Sequence, residues 1–245
     1  MKHRLIFFLI PIVLLCGCGR FKQRITETQP LASRFEDPQL ASHVVTSLKR
    51  TNSGLKSFKG IGRIKFGGGP QVMQSARTVF AGYHTEKLRF EILGLSGQPI
   101  TSFAYDSTWF YLTQYAENSF YRKRIPNADL NRLLNIPIKI DTINLLLSGQ
   151  VPMIDHFSAQ LERETAGNTY ILLLQGRWWQ RQHEKIYLSA DMKTAWKYEM
   201  FKGSEEPIYR MEIKDFKNYQ GYQIPKKVEV FGRDGTTILL EVDRY

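Results

Sequence analysis

Apolar side chains recur at every second residue through most of the chain. Between residues 58 and 66 the even positions read Phe58, Gly60, Gly62, Ile64 and Phe66, and the odd ones Lys59, Ile61, Arg63 and Lys65. That period of two places alternate side chains on opposite faces of a strand. It returns at Leu88, Phe90 and Ile92 against Lys87, Arg89 and Glu91, and at Trp196, Tyr198 and Met200 against Lys197 and Glu199. Tyr209, Met211 and Ile213 oppose Arg210, Glu212 and Lys214, and two last strands carry Val228 and Val230, then Ile238, Leu240 and Val242. Turn signals stand between them: Gly67-Gly68-Gly69-Pro70, Gly167-Asn168, Lys202-Gly203-Ser204 and Arg233-Asp234-Gly235. The pattern predicts a mainly β protein, a curved antiparallel sheet forming an open half-barrel with one apolar face. No internal repeat and no domain-splitting linker breaks it. Trp109 to Leu112 and Tyr170 to Leu174 are apolar on both faces, which fits a sheet covered on both sides and equally a packed barrel with no ligand.

Helical spacing interrupts the strands twice. Glu36-Asp37-Pro38 supplies an N-cap carboxylate with proline in the first turn, and Leu40, Val44 and Leu48, flanked by Ala41 and Val45, form one apolar stripe, so a helix is expected over Pro38 to Arg50. Near the middle, Asn127 can cap a short helix carrying Leu130, Leu133 and Leu134. Ile136-Pro137-Ile138 breaks it, and Asp141 can cap a second helix with Ile143, Leu146 and Leu147, ended by Gly149. Such helices can cover a barrel mouth or serve as ordinary packing.

The N-terminus follows a third pattern. Lys2 and Arg4 precede an apolar run from Leu5 to Leu15, interrupted by Pro11, and Leu15-Cys16-Gly17-Cys18 closes it. The run is shorter than the ~20 residues a spanning helix needs and contains Pro11, so it reads as an export signal with a lipoprotein lipobox. Residues 1–17 are then a signal peptide, Cys18 is diacylated, residues 18–36 are a polar tether, and 37–245 form the folded domain. Removing the signal takes away Lys2 and Arg4, which lowers the formal net charge from +11 to +9. Of the two cysteines, Cys16 leaves with the signal and Cys18 carries lipid, so no thiol remains for a disulfide or a Cys metal site.

Basic residues are spread along the strands rather than clustered, which favours anionic lipid headgroups over nucleic acid. Enzyme signatures fail. His183-Glu184 lacks the second histidine of a zinc-protease helix, His84-Thr85-Glu86 lacks a downstream Cys pair, and Gly60-Ile61-Gly62 has Lys65 where a dinucleotide fingerprint needs glycine. No nucleophile elbow is present, and Asp155-His156 and Glu205-Glu206 read as loop charges. Trp178-Trp179, with Arg177 and Arg181, suits a membrane interface or cavity rim. The expectation is a non-enzymatic protein without metal or cofactor.

Leu88-Arg89-Phe90-Glu91-Ile92-Leu93-Gly94-Leu95-Ser96-Gly97 resembles the strand and protruding loop of the LolB family, outer-membrane receptors for lipoproteins, within the LolA/LolB-like superfamily. Ala128 to Ile138, followed by Ile143 to Gly149, is similar to that family's helix, proline turn and helix in the same order. The resemblance implies an open half-barrel whose few short helices form a lid over the concave face, with Leu130, Leu133, Leu134, Ile143, Leu146 and Leu147 over an acyl-chain cavity. It implies as partners the acyl chains of lipoproteins or other amphiphiles, a soluble periplasmic LolA-like carrier, and outer-membrane lipids. Leu95 falls where the family has an exposed, membrane-delivering loop leucine, although Gly94 stands where that loop has proline. Gly19 after Cys18 implies sorting to the outer membrane, with the domain facing the periplasm. A scaffold lipoprotein of an envelope assembly or export complex, using the same fold, is the alternative.

Overall fold

The computed structural model describes residues 34–68, 71–84, 86–164 and 168–245, without the side chains of Arg34, Phe35, Gln71, Val72, Arg132 and Leu133. The signal, Cys18 and the tether up to residue 33 lie outside the described residues. In chain order the elements are β1 (Arg34–Phe35), α1 (Pro38–Arg50), β2 (Ser57–Gly68), β3 (Gln71–Tyr83), β4 (Lys87–Leu93), β5 (Pro99–Tyr105), β6 (Trp109–Gln114) and β7 (Ser119–Arg124). Then follow α2 (Asn131–Leu134), α3 (Ile140–Leu147), β8 (His156–Arg163), β9 (Tyr170–Gly176), β10 (Gln182–Leu188), β11 (Ala195–Lys202), β12 (Tyr209–Tyr219), β13 (Tyr222–Gly232) and β14 (Thr236–Arg244).

All strands join one curved, antiparallel, open sheet in the order β1-β8-β9-β10-β11-β12-β13-β14-β2-β3-β4-β5-β6-β7. The period-two pattern sets which side is buried. Phe80, Leu88, Phe90, Leu172, Leu174, Ile186, Tyr198, Met211, Val228 and Leu240 all point into one core, while their charged neighbours line the other face. Phe58, Phe80, Phe90, Phe103 and Phe110 form a ladder across β2 to β6, with successive ring centroids 5.5 to 6.2 Å apart.

α1 occupies the expected residues. Asp37 caps it, its carboxylate accepting from the Gln39 N–H at 2.8 Å, and Ala41, Val44, Val45 and Leu48 are its buried stripe, packed toward β8. Three local expectations need correction. Trp196 is partly exposed rather than inward, because a bulge opposite Tyr187 and Leu188 inserts one residue and gives the inward place to Ala195. Asn127 does not cap α2: it has a left-handed φ of 56°, and Leu130 holds the cap position, while the Asp129 carboxylate accepts from the Asn131 N–H. Asp141 lies inside the first turn of α3 rather than capping it, and Lys139 takes the cap position.

Topology explains the helices. β7 is one edge of the sheet and β8 lies beside the opposite edge strand, so the connecting segment must cross the sheet. It crosses over the apolar face, and α3 rests on β4 and β13.

Candidate functional site

The candidate site is the apolar face and the segment that covers it. Leu130, Leu146 and Leu147 are buried in the core, and Leu134 and Ile143 are partly buried against it. The side chain of Leu133 lies outside the described residues. Ile136 and Ile138 between the two helices, and Ile140 at the start of α3, are fully buried. The covering segment thus fills the concave face with its own side chains.

Its attachment differs from that of the strands. Among the described residues, the backbone hydrogen bonds of residues 126–153 are internal to the segment, including a bridge between Asp129 and Lys139. Side chains make the links to the surroundings. Asn144 Nδ2 donates to the carbonyls of His84 at 2.8 Å and Lys87 at 3.1 Å, tying α3 to the β3–β4 turn. Asn52 Nδ2 reaches the carbonyls of Ser148 at 3.0 Å and Gln223 at 2.7 Å. The Tyr245 hydroxyl lies 3.1 Å from the Leu147 carbonyl and 3.0 Å from that of Pro225. Asn135 Nδ2 donates to Asp234 Oδ2 at 2.5 Å. Gly149 closes α3 at a φ of +69°, and a Cβ there would stand 2.2 Å from the Gln223 carbonyl oxygen, so glycine alone fits.

Two further links come from the Tyr105 hydroxyl, which accepts from the Ala128 N–H at 3.4 Å, and, just beyond the end of the segment, from Glu184. The Glu184 Oε2 accepts from the Ile154 N–H at 3.0 Å, and burial pushes its pKa up to about 8, so the carboxyl is held neutral at pH 7. Beside it is a space of about 230 Å³, lined among others by Asp141, Leu145, Met153, Met200 and Tyr209. That is below the ~300–1,000 Å³ of ligand pockets, so the concave face is closed in this conformation. Larger clefts open elsewhere. One of about 480 Å³ lies over Lys59, Ile61, Ala81 and Arg89 on the charged face, and one of about 530 Å³ lies between Phe58, Tyr219 and Tyr222, where β14 stops short of its neighbours.

Leu95 is fully exposed at the tip of the β4–β5 turn. The turn is closed by Gly94 N–H to the Gln98 carbonyl at 2.8 Å and Gly97 N–H to the Gly94 carbonyl at 3.0 Å, with Gly97 at a φ of +87°. The lid leucines and Leu95 are therefore not one cluster: the former are core and the latter projects from a rim. Asn144, Glu184 and Tyr245 were not singled out as site residues from the sequence. The signal for Asn144 is a lone amide within the apolar run Ile143 to Leu147, and Glu184 stands out in the sequence only as half of an incomplete zinc motif.

Among the described residues there is no group of His, Cys, Asp or Glu placed to hold a metal, and no helix long and apolar enough to cross a membrane. No family model matches the chain, and no curated protein matches it in sequence. Solved structures do resemble it. A LolA superfamily protein from Nitrosomonas europaea superposes with a TM-score of 0.54 at 13% identity, covering 83% of this chain and 91% of that one. A DUF1329 family protein from Desulfovibrio piger gives 0.59 at 11%, covering 85% and 92%. An outer membrane lipoprotein-sorting protein domain from Vibrio parahaemolyticus gives 0.56 at 9%, covering 84% and 92%. An open, curved antiparallel sheet with a helical cover is thus the fold this chain shares with proteins of the LolA superfamily.

Proposed function

We propose that this protein is a lipid-anchored, non-enzymatic component of the outer membrane that binds acyl chains and inserts lipoproteins, or a related amphiphile, into the bilayer. The observation that carries the reading is the mode of attachment of the cover: an apolar sheet face sealed by a segment joined to it through side-chain hydrogen bonds, without strand pairing. Such a cover can lift without tearing the sheet. Lifting exposes Leu130, Leu146 and Leu147 together with Ile136, Ile138 and Ile140, at about 1.5–3 kcal/mol each, a total comparable with the about 12 kcal/mol that an incoming chain of fifteen carbons gains on leaving water. The exchange is feasible because cargo replaces the apolar contacts that the lid gives up. The fold similarity to a lipoprotein-sorting domain supports the same reading.

Within it, Cys18 bears the lipid anchor, Leu95 contacts the bilayer during delivery, and a soluble LolA-like carrier hands over cargo. The mature polypeptide from residue 19, which retains every described residue, should take up a fluorescent fatty acid saturably and release it to an acylated peptide. A folded protein with no saturable uptake overturns the proposal. The alternative of a scaffold lipoprotein would then stand, favoured by the tight filling of the concave face by Ile136, Ile138 and Ile140. Mass analysis of the exported protein should find the acyl groups on Cys18; acylation on Cys16, or none, removes the anchor from the reading.

A further inference from the structure

Because every neighbouring pair of strands is antiparallel, the hairpin turns alternate between two rims of the sheet. Leu95 belongs to the rim that also holds the β6–β7 and β9–β10 turns; the β3–β4, β5–β6, β10–β11 and β12–β13 turns lie on the opposite one. Exposed apolar residues are divided unevenly between them. Of the twelve exposed large hydrophobic side chains among the described residues, seven sit in turns of the Leu95 rim or in the first two residues of strands that start there. They are Leu95 and Ile100, Tyr115 and Phe120, and, far along the sheet, Phe157, Trp178 and Trp179. Only Tyr83, Trp196 and Tyr219 hold equivalent places on the other rim.

Trp178 and Trp179 are 79% and 56% exposed, with ring planes 87° apart. Arg177 stacks on Trp179 at 5.3 Å and pairs with Asp155, and Arg181 follows in the same turn. Indoles that leave water for neither core nor partner, beside arginines, match the headgroup layer of a bilayer, where an amphipathic ring is favoured and a guanidinium meets phosphate. We propose that Trp178 and Trp179, with Phe157, form a second membrane foot, so that the protein stands on the bilayer along one rim rather than touching it through Leu95 alone. Seven strand spacings separate β10 from β4, about 34 Å along the sheet. Two feet so far apart fix an orientation that one loop cannot.

The tether is compatible with this stance. β1 runs antiparallel to β8, so the chain enters the sheet from the rim opposite Leu95. From Cys18 to Arg34 an extended chain can span about 50 Å, more than the ~44 Å of the longest strand, the thirteen residues of β3. An anchor at Cys18 therefore permits either rim to face the membrane, and the aromatic residues select one.

The proposal rests on the membrane-facing reading above but is separable from it. The mature polypeptide from residue 19 is mixed with vesicles of phosphatidylcholine and phosphatidylglycerol, and binding is followed by flotation and by quenching of tryptophan with brominated lipid. Trp178→Ala together with Trp179→Ala should lower vesicle partitioning about tenfold and abolish most quenching, with an unchanged melting temperature and unchanged fatty-acid uptake in solution. Trp196→Ala, on the other rim, should leave partitioning as in the wild type. Wild-type partitioning by the double variant, or full quenching in it, overturns the second foot even if fatty-acid uptake is normal. Loss of partitioning by the double variant upholds it even if the protein takes up no fatty acid.

Discussion

The two halves of the sheet handle charge in opposite ways. Residues 156–245, which contain β8 to β14, carry fourteen Lys and Arg against thirteen Asp and Glu, whereas residues 57–124, with β2 to β7, carry nine against four. On the outer face of the first group the charges are paired, along a strand for Lys197 with Glu199 and Arg210 with Glu212, and across strands for Lys214 with Glu229, Lys226 with Asp215, and Lys227 with Glu241. Within β2 to β7 the described residues show one such pair, Arg89 with Glu91, and Arg63 faces Arg77 directly across the β2–β3 register. Like charges opposite each other disfavour a sheet. Exposed pairs stabilise by only ~0–1 kcal/mol each, so the difference bears less on stability than on what each half presents to its surroundings: a neutral wall on one side and a positive field on the other, beside the loop that bears Leu95.

The largest expected effect tests the neutral half, which hides an uncompensated group inside. Glu184 has a folded pKa of about 8 against 4.5 unfolded, so the native state holds a proton that the unfolded chain has lost between those values. Stability is therefore full below about pH 4.5, falls as pH rises, and levels off above about pH 8, a loss on the order of 3–4 kcal/mol between pH 5 and pH 8. His183 has the opposite sense: burial lowers its pKa, so its contribution improves as pH rises through the unfolded value of 6.5. Denaturation of the wild type and of Glu184→Gln at both pH values isolates the carboxyl, because His183 is common to both. A pH slope that persists in Glu184→Gln assigns it elsewhere.

The lid touches both halves, and its two attachments can be compared. Asn144→Ala removes two bonds that a buried amide makes to the β3–β4 turn, which should cost about 1–3 kcal/mol; Asn52→Ala, at the more exposed link to β13, should cost about 1 kcal/mol. Probe uptake should rise more in the first variant than in the second. Equal effects would mean that the lid opens from both sides at once. On the outer face, Arg63→Glu and Arg77→Glu should each weaken attachment to anionic vesicles by about 1 kcal/mol, less at high salt, while Lys214→Glu leaves it unchanged. If all three behave alike, the contrast between the halves has no bearing on membranes. The smallest effect on stability, within about 0.5 kcal/mol, is expected for Leu95→Glu, because the side chain is wholly exposed. That variant should load probe normally and release acylated cargo to liposomes more slowly, as a transfer assay would show.

The local pattern carried much of the fold. Asp37-Pro38 and the stripe to Leu48 marked α1 to the residue, and alternation assigned the faces of β2, β4, β12 and β14, because one-sided burial imposes a period of two. What failed were features settled by partners. The bulge that turns Trp196 outward depends on the register with β10, and the caps expected at Asn127 and Asp141 lost to turns shaped by the covering segment. Strand order was illegible, since nothing local says that β14 lies beside β2. Of the site, the apolar stripe of the lid and the exposed loop leucine could be read. The polar links could not, because Asn144, Asn52 and Tyr245 act on carbonyls far away in sequence.

The pairing of Ile238 with Phe66 has a kinetic consequence. A chain delivered from its N-terminus can zip β2 through β7 as a meander of local hairpins, but the edge of β2 stays bare until the last nine-residue strand arrives. Closure of that seam is the longest-range event in the fold and the slow step expected of such contacts. Until then the unpaired strand is a template for pairing with other chains. A chain cut before Thr236 would retain two such open edges, on β2 and β13, in the middle of what should be a continuous sheet, and the expected product is aggregate rather than a smaller soluble protein.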